Sequence, residues 1–74
     1  MQLQASSSLP TLRFGDSGES VRVLQRLLRS SGYPINVDAN FGALTESAVR
    51  AFQSRRGLVA DGIVGARTWR ELTR

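Results

Sequence analysis

One turn is written twice in this chain, at an offset of 23 residues. Asp38-Ala39-Asn40-Phe41-Gly42-Ala43-Leu44-Thr45 returns as Asp61-Gly62-Ile63-Val64-Gly65-Ala66-Arg67-Thr68, so Asp, Gly, Ala and Thr recur at the same interval. Each copy leads into a stretch with helical spacing. A repeated turn-then-helix unit narrows the fold strongly, because neighbouring copies must bury equivalent apolar faces against each other. The Asp carboxylate is expected to accept a backbone N–H a few residues on and so pin the turn. The later Gly of each copy is expected to supply a positive φ. Thr45 and Thr68 are expected N-caps, and Glu71 stands three residues after Thr68 in the capping-box pattern.

Three helices follow from the periodicity. Asp16 with Glu19 fits a capping box, with Ser17 as a competing cap. The first helix then runs to about Ser30, with Val21, Leu24, Leu27 and Leu28 as its apolar stripe, Val23 widening it, and Arg22, Arg26 and Arg29 opposite. Gly32 stops it. Tyr33 to Val37 reads as an extended connector. The second helix follows Thr45, carries Ala48, Val49 and Phe52 inward, and ends near Arg56 before Gly57. Leu58 to Ala60 is a second connector, and a short third helix presents Trp69 and Leu72.

The expected fold is all-α: a small three-helix bundle with two similar Asp-x-x-x-Gly-x-x-Thr loops. Leu24, Leu28, Phe41, Val49, Phe52, Ile63, Val64, Trp69 and Leu72 are its expected core. Residues 1–11 read as a flexible tail and 12–74 as the domain, with Leu12 and Phe14 as the first anchors. In the first loop Ala39 stands where the second has Gly62; if that position needs φ > 0, Asn40 is the residue expected to take it.

Residue content removes several functions. The 74 residues contain no His and no Cys, so no Ser or Cys nucleophile has its usual base, and disulfides and thiolate chemistry are absent. Four of the six carboxylates (Asp16, Glu19, Asp38, Asp61) fall at turns or caps, where a structural role suffices; no catalytic residue is assigned. Asp38 and Asn40 resemble the opening of a calcium loop, but Val49 stands where the closing Glu belongs, so no metal site and no cofactor is expected. No apolar run approaches the roughly 18 to 20 residues of a membrane span. The net charge is +4 and every basic residue is Arg, which leans towards an anionic partner.

The ordered set of motifs resembles the type 1 peptidoglycan-binding domain. It comprises Gly15-Asp16-Ser17-Gly18-Glu19-Ser20-Val21, Leu24-Gln25-Arg26-Leu27-Leu28, Gly32-Tyr33, Asp38 to Gly42, Thr45, Ala48-Val49, Phe52-Gln53, Gly57-Leu58, Asp61 to Gly65, and Thr68-Trp69. The likeness covers about Leu12 to Leu72; Ala39 departs from the family's usual Gly. It implies a non-catalytic module that attaches a covalently linked or partner hydrolase to bacterial peptidoglycan, in the cell wall, periplasm or extracellular space. A similar fold occurs in metalloproteinase propeptides, so fold alone does not fix function.

Glycan strands and stem peptides offer hydroxyl, acetamido and carboxylate groups. A site for them calls for planar, amide, carboxylate and cationic side chains. Tyr33, Asn36, Asp38 and Asn40 on the first connector, Arg50 and Gln53 on the second helix, and Asp61 on the second loop are the expected contacts. Tyr33 also fits a cover for the core edge, and Gln25 and Gln53 fit hydrogen bonding to loop backbone at helix junctions. Two other readings stand beside this one. A protein-interaction or pro-domain would pack on its own enzyme. A nucleic-acid binder would read bases with Arg50, Gln53 and Arg56, although Glu46 opens that helix and no basic stripe supports it.

Overall fold

The computed structural model describes residues 9–74. Three helices make up the domain: α1 (Glu19–Ser30), α2 (Ala43–Arg55) and α3 (Ala66–Thr73). There is no strand among the described residues; two isolated antiparallel bridges, Leu12 with Val64 and Ser17 with Asn40, tie the loops together. The all-α expectation therefore holds. No helix among the described residues is long and apolar enough to cross a membrane.

The helices converge on one core. Val21, Leu24 and Leu28 of α1 meet Ala48, Val49 and Phe52 of α2 and Trp69 and Leu72 of α3, while Leu12, Phe41 and Val64 come in from the loops. A domain this small buries only about 60% of its unfolded surface, so each of these contacts matters. Two expected core positions fall outside it: Ile63 is only half-buried and Val23 is 38% exposed. Phe14, expected as an anchor, is 58% exposed, and Leu12 does that work through paired backbone bonds with Val64 (3.1 and 2.8 Å). Of the expected tail, residues 1–8 lie outside the described residues. Leu9 packs against the core and the Pro10 carbonyl accepts the Trp69 indole N–H at 2.7 Å.

The two longer helices stop as the glycines foretell. Gly32 and Gly57 take φ of 101° and 73°, and the residues after them donate back to the third residue from each helix end, Tyr33 to Leu28 (3.0 Å) and Leu58 to Gln53 (2.8 Å). The helix starts differ from expectation. Gly18, Gly42 and Gly65 occupy the three N-cap positions, and no side chain caps any of them. Asp16 turns back instead and accepts the Arg13 N–H at 2.9 Å. Thr45 and Thr68 sit inside the first turns of α2 and α3, buried, with their hydroxyls committed elsewhere.

Candidate functional site

Each turn is held by a buried glutamine from the preceding helix. Gln25 of α1 is fully buried. Its Nε2 donates to Asp38 Oδ1 (3.0 Å), the Asn40 carbonyl (3.0 Å) and Thr45 Oγ1 (3.1 Å), and its Oε1 accepts the N–H groups of Asp38 (3.0 Å) and Ala39 (2.9 Å). Gln53 of α2 repeats the arrangement on the second turn. Its Nε2 donates to Asp61 Oδ1 (3.3 Å), the Ile63 carbonyl (2.9 Å) and Thr68 Oγ1 (3.1 Å), and its Oε1 accepts the Gly62 N–H (3.0 Å). A primary amide is the group that can do both jobs at once, since it donates and accepts in one plane. This is why Thr45 and Thr68 do not cap: the glutamines reach their hydroxyls first.

The Asp of each turn folds its own loop. Asp38 Oδ1 accepts the Asn40 N–H (3.0 Å) and Asp61 Oδ1 accepts the Ile63 N–H (2.9 Å). The Asn40 N–H, and after it the Gln25 amide, stabilise the charged Asp38 carboxylate and hold its pKa below the ordinary 3.8. Positive φ falls at the residue after each Asp, at Ala39 (66°) and Gly62 (77°). The expectation that Gly42 and Gly65 would supply it is overturned, since both are extended (φ −104° and −101°), and so is the substitution of Asn40 for Ala39.

Outside each pinned turn lies a shallow groove. The first, about 220 Å³, is lined by Ile35, Asn36, Asp38 and Asn40 and by the start of α2 from Gly42 to Thr45. The second, about 270 Å³, is lined by Leu58, Val59, Asp61 and Ile63 and by the start of α3 from Gly65 to Thr68, with Gln53 as its floor. Apart from Gln53, the linings correspond position by position at the 23-residue offset. Asp, Gly, Ala and Thr are common to both. Asn36, Asn40 and Leu44 in the first become Val59, Ile63 and Arg67 in the second.

The seven residues expected to contact a ligand divide among several places. Asn36, Asp38 and Asn40 come together in the first groove, and Asp61 lines the second. Gln53 is 1% exposed, its amide spent on the loop, which makes it a brace for the turn. Arg50 lies over the second loop, 3.9 Å from Glu46 and 3.4 Å from the Ala60 carbonyl. Tyr33 packs edge-on to Phe52 (centroids 6.3 Å apart) with the Arg55 guanidinium 5.9 Å from its ring centre, so it covers the core edge, away from either groove. Val59 lies 23 residues after the expected contact Asn36, so the repeat pointed to it, whereas Leu44 and Arg67 are each other's counterparts and carried no such signal. The nucleic-acid reading loses its face: Gln53 is buried, and Arg50 and Arg56 are paired with Glu46 and Glu71.

Comparison with known proteins gives a family to this three-helix domain with two glutamine-braced turns and a groove outside each. Residues 17–72 match the model described as a putative peptidoglycan binding domain, and the chain belongs to that family. It is 46% identical over 67 residues to the zinc D-Ala-D-Ala carboxypeptidase of Streptomyces albus G, covering 84% of this chain and 26% of that one. Among solved structures it matches an endolysin of Burkholderia phage AP3 (50% identity, TM-score 0.85, 86% of this chain and 25% of that one). It also matches the N-terminal domain of SleB (42% identity, TM-score 0.85, 89% and 92%). The chain thus spans about a quarter of the length of the carboxypeptidase and the endolysin, and nearly all of the isolated SleB domain.

Proposed function

We propose that this domain is a non-catalytic peptidoglycan-binding module that holds an attached wall-active enzyme against its substrate outside the cell membrane, and that the first groove makes the glycan contact. The supporting observation is the grouping of Asn36, Asp38 and Asn40 on a loop that Gln25 holds rigid. Two amides and a carboxylate on a pre-formed surface match the hydroxyl and acetamido groups of an aminosugar strand, with Leu44 and Ile35 as apolar floor beneath a ring. Asp38 Oδ1 is committed within the loop, while Oδ2 has no partner among the described residues and is free to accept a sugar hydroxyl.

Co-sedimentation with intact, teichoic-acid-free sacculi across a salt series tests this reading. Pelleting that survives raised salt and falls about tenfold in affinity for the double variant Asn36→Ala, Asn40→Ala is expected, a loss of about 1.4 kcal/mol. Protein that stays in the supernatant at every salt overturns it. Pelleting lost at modest salt would assign the binding to the Arg charge alone.

A further inference from the structure

The second groove has the shape of the first and a different chemistry, and we propose that it is a separate subsite for the carboxylate end of a wall stem peptide. This rests on the peptidoglycan reading above. Three lining positions change character between the grooves. Asn36 and Asn40 give way to Val59 and Ile63, which makes one wall apolar, and Leu44 gives way to Arg67, which places a cation at the start of α3. Val59 is 77% exposed, so this apolar wall is open to a ligand.

Arg67 is a free cation by arrangement. The carboxylate placed to pair with it four residues on is Glu71, but Arg56 holds Glu71 Oε1 at 3.3 Å and Arg74 holds Oε2 at 3.0 Å. Among the described residues Arg67 has no ion pair, and Arg70 one turn on adds to the positive field. Across the same groove Asp61 spends Oδ1 on Gln53 and Ile63, and Oδ2 has no partner among the described residues.

The groove therefore offers a hydrogen-bond acceptor, a small apolar wall and a guanidinium. A peptide terminus of alanine type carries the complement: amide N–H groups, a methyl side chain and a carboxylate that Arg can engage with two parallel bonds. A neutral sugar has no carboxylate to form the charged, two-bond pair with Arg67, and a long charged side chain has no small apolar group for Val59 and Ile63. The module then reads two parts of its polymer, the glycan in the first groove and the peptide end in the second.

The test is an amide NMR titration of the full chain with acetyl-alanyl-alanine in D and L forms and, separately, with its C-terminal carboxamide. Saturable shifts at Val59, Gly65, Ala66 and Arg67 with the acid are expected, at least tenfold weaker for the carboxamide and for Arg67→Gln. Val59→Asn, which restores the character of the first groove, should weaken the acid as well. Equal binding of acid and carboxamide, shifts confined to residues 36–44, or no shifts at all would overturn the proposal. The sacculus assay separates it from the function it builds on. Sacculus binding that persists without peptide shifts in the second groove removes this inference alone. Peptide shifts in that groove without sacculus binding remove the wall reading and leave the carboxylate subsite standing.

Discussion

The two braced turns are the same device with different margins. Gln25 reaches a loop 13 to 15 residues along the chain and makes four hydrogen bonds there, with a fifth to Thr45, whereas Gln53 reaches one 8 to 10 residues along and makes three, with a fourth to Thr68. In the first turn the residue with positive φ is Ala39, a half-buried position that tolerates a methyl group. In the second it is Gly62, which is buried, and a Cβ there would lie 3.0 Å from Glu46 Cγ and 3.1 Å from Arg50 Nε. The brace is constant and the surroundings differ. The Asp, Thr and Gln that build the turn are kept in both copies, while the outward groove positions are where the side chains diverge.

If the braces carry the fold, removing them should be the most damaging change. Gln25→Leu strands the Asp38 and Ala39 N–H groups and leaves the Thr45 hydroxyl without its donor; about 3 kcal/mol should be lost at about 1–3 kcal/mol per unmet buried group. Gln53→Leu strands one N–H, that of Gly62, and should lose about 2 kcal/mol. In a domain of this size each kcal/mol is worth about 4–8 °C of melting temperature, so thermal unfolding by circular dichroism should rank the two clearly. Two variants that melt within about 4 °C of the parent would show that the turns hold themselves without the glutamines.

Exchange of the positive-φ residues sharpens the contrast. Gly62→Ala meets both the left-handed penalty of about 1–2 kcal/mol and the crowding by Glu46 and Arg50, and should cost about 2 kcal/mol in urea unfolding. Ala39→Gly should move the other way. Relief of the left-handed penalty outweighs the extra unfolded-state freedom of Gly, for a gain of about 0.5 kcal/mol. A loss at position 39 would mean that the Ala39 methyl contributes packing that Gly62 has no room to supply.

Much of this was legible because the repeat is short-range and regular. The helices, their glycine stops and the glutamine-to-loop bonding follow from local spacing and from the echo between Leu24-Gln25 and Phe52-Gln53. The failures have one physical origin. A hydroxyl three residues into a helix looks like a cap until a side chain 20 residues earlier arrives to claim it, as Gln25 does at Thr45. Local rules put positive φ on glycine or asparagine, and Ala39 holds it because Gln25 fixes the loop backbone on both sides of the Asp38–Ala39 peptide. Tyr33 and Gln53 each offered two roles in the sequence, ligand contact or internal support, and the structure shows Tyr33 packed edge-on to Phe52 and Gln53 buried as a brace.

The smallest effect concerns acid. Asp38 is ionised more readily in the folded domain than in an open chain, because the Asn40 N–H and the Gln25 amide favour its charged form. A carboxyl whose folded pKa is lowered contributes stability that is present above its ordinary value of 3.8 and lost as pH falls through the lowered one. Asp38→Asn keeps an acceptor oxygen for both partners but removes the titration. Melting temperatures of parent and variant, followed from about pH 6 to about pH 2, should therefore converge, with the parent's advantage shrinking below about pH 4. Parallel curves across that range would show that the carboxylate charge adds nothing to the first turn. The Asx bond geometry, common to both loops, would then be the whole of what Asp38 contributes.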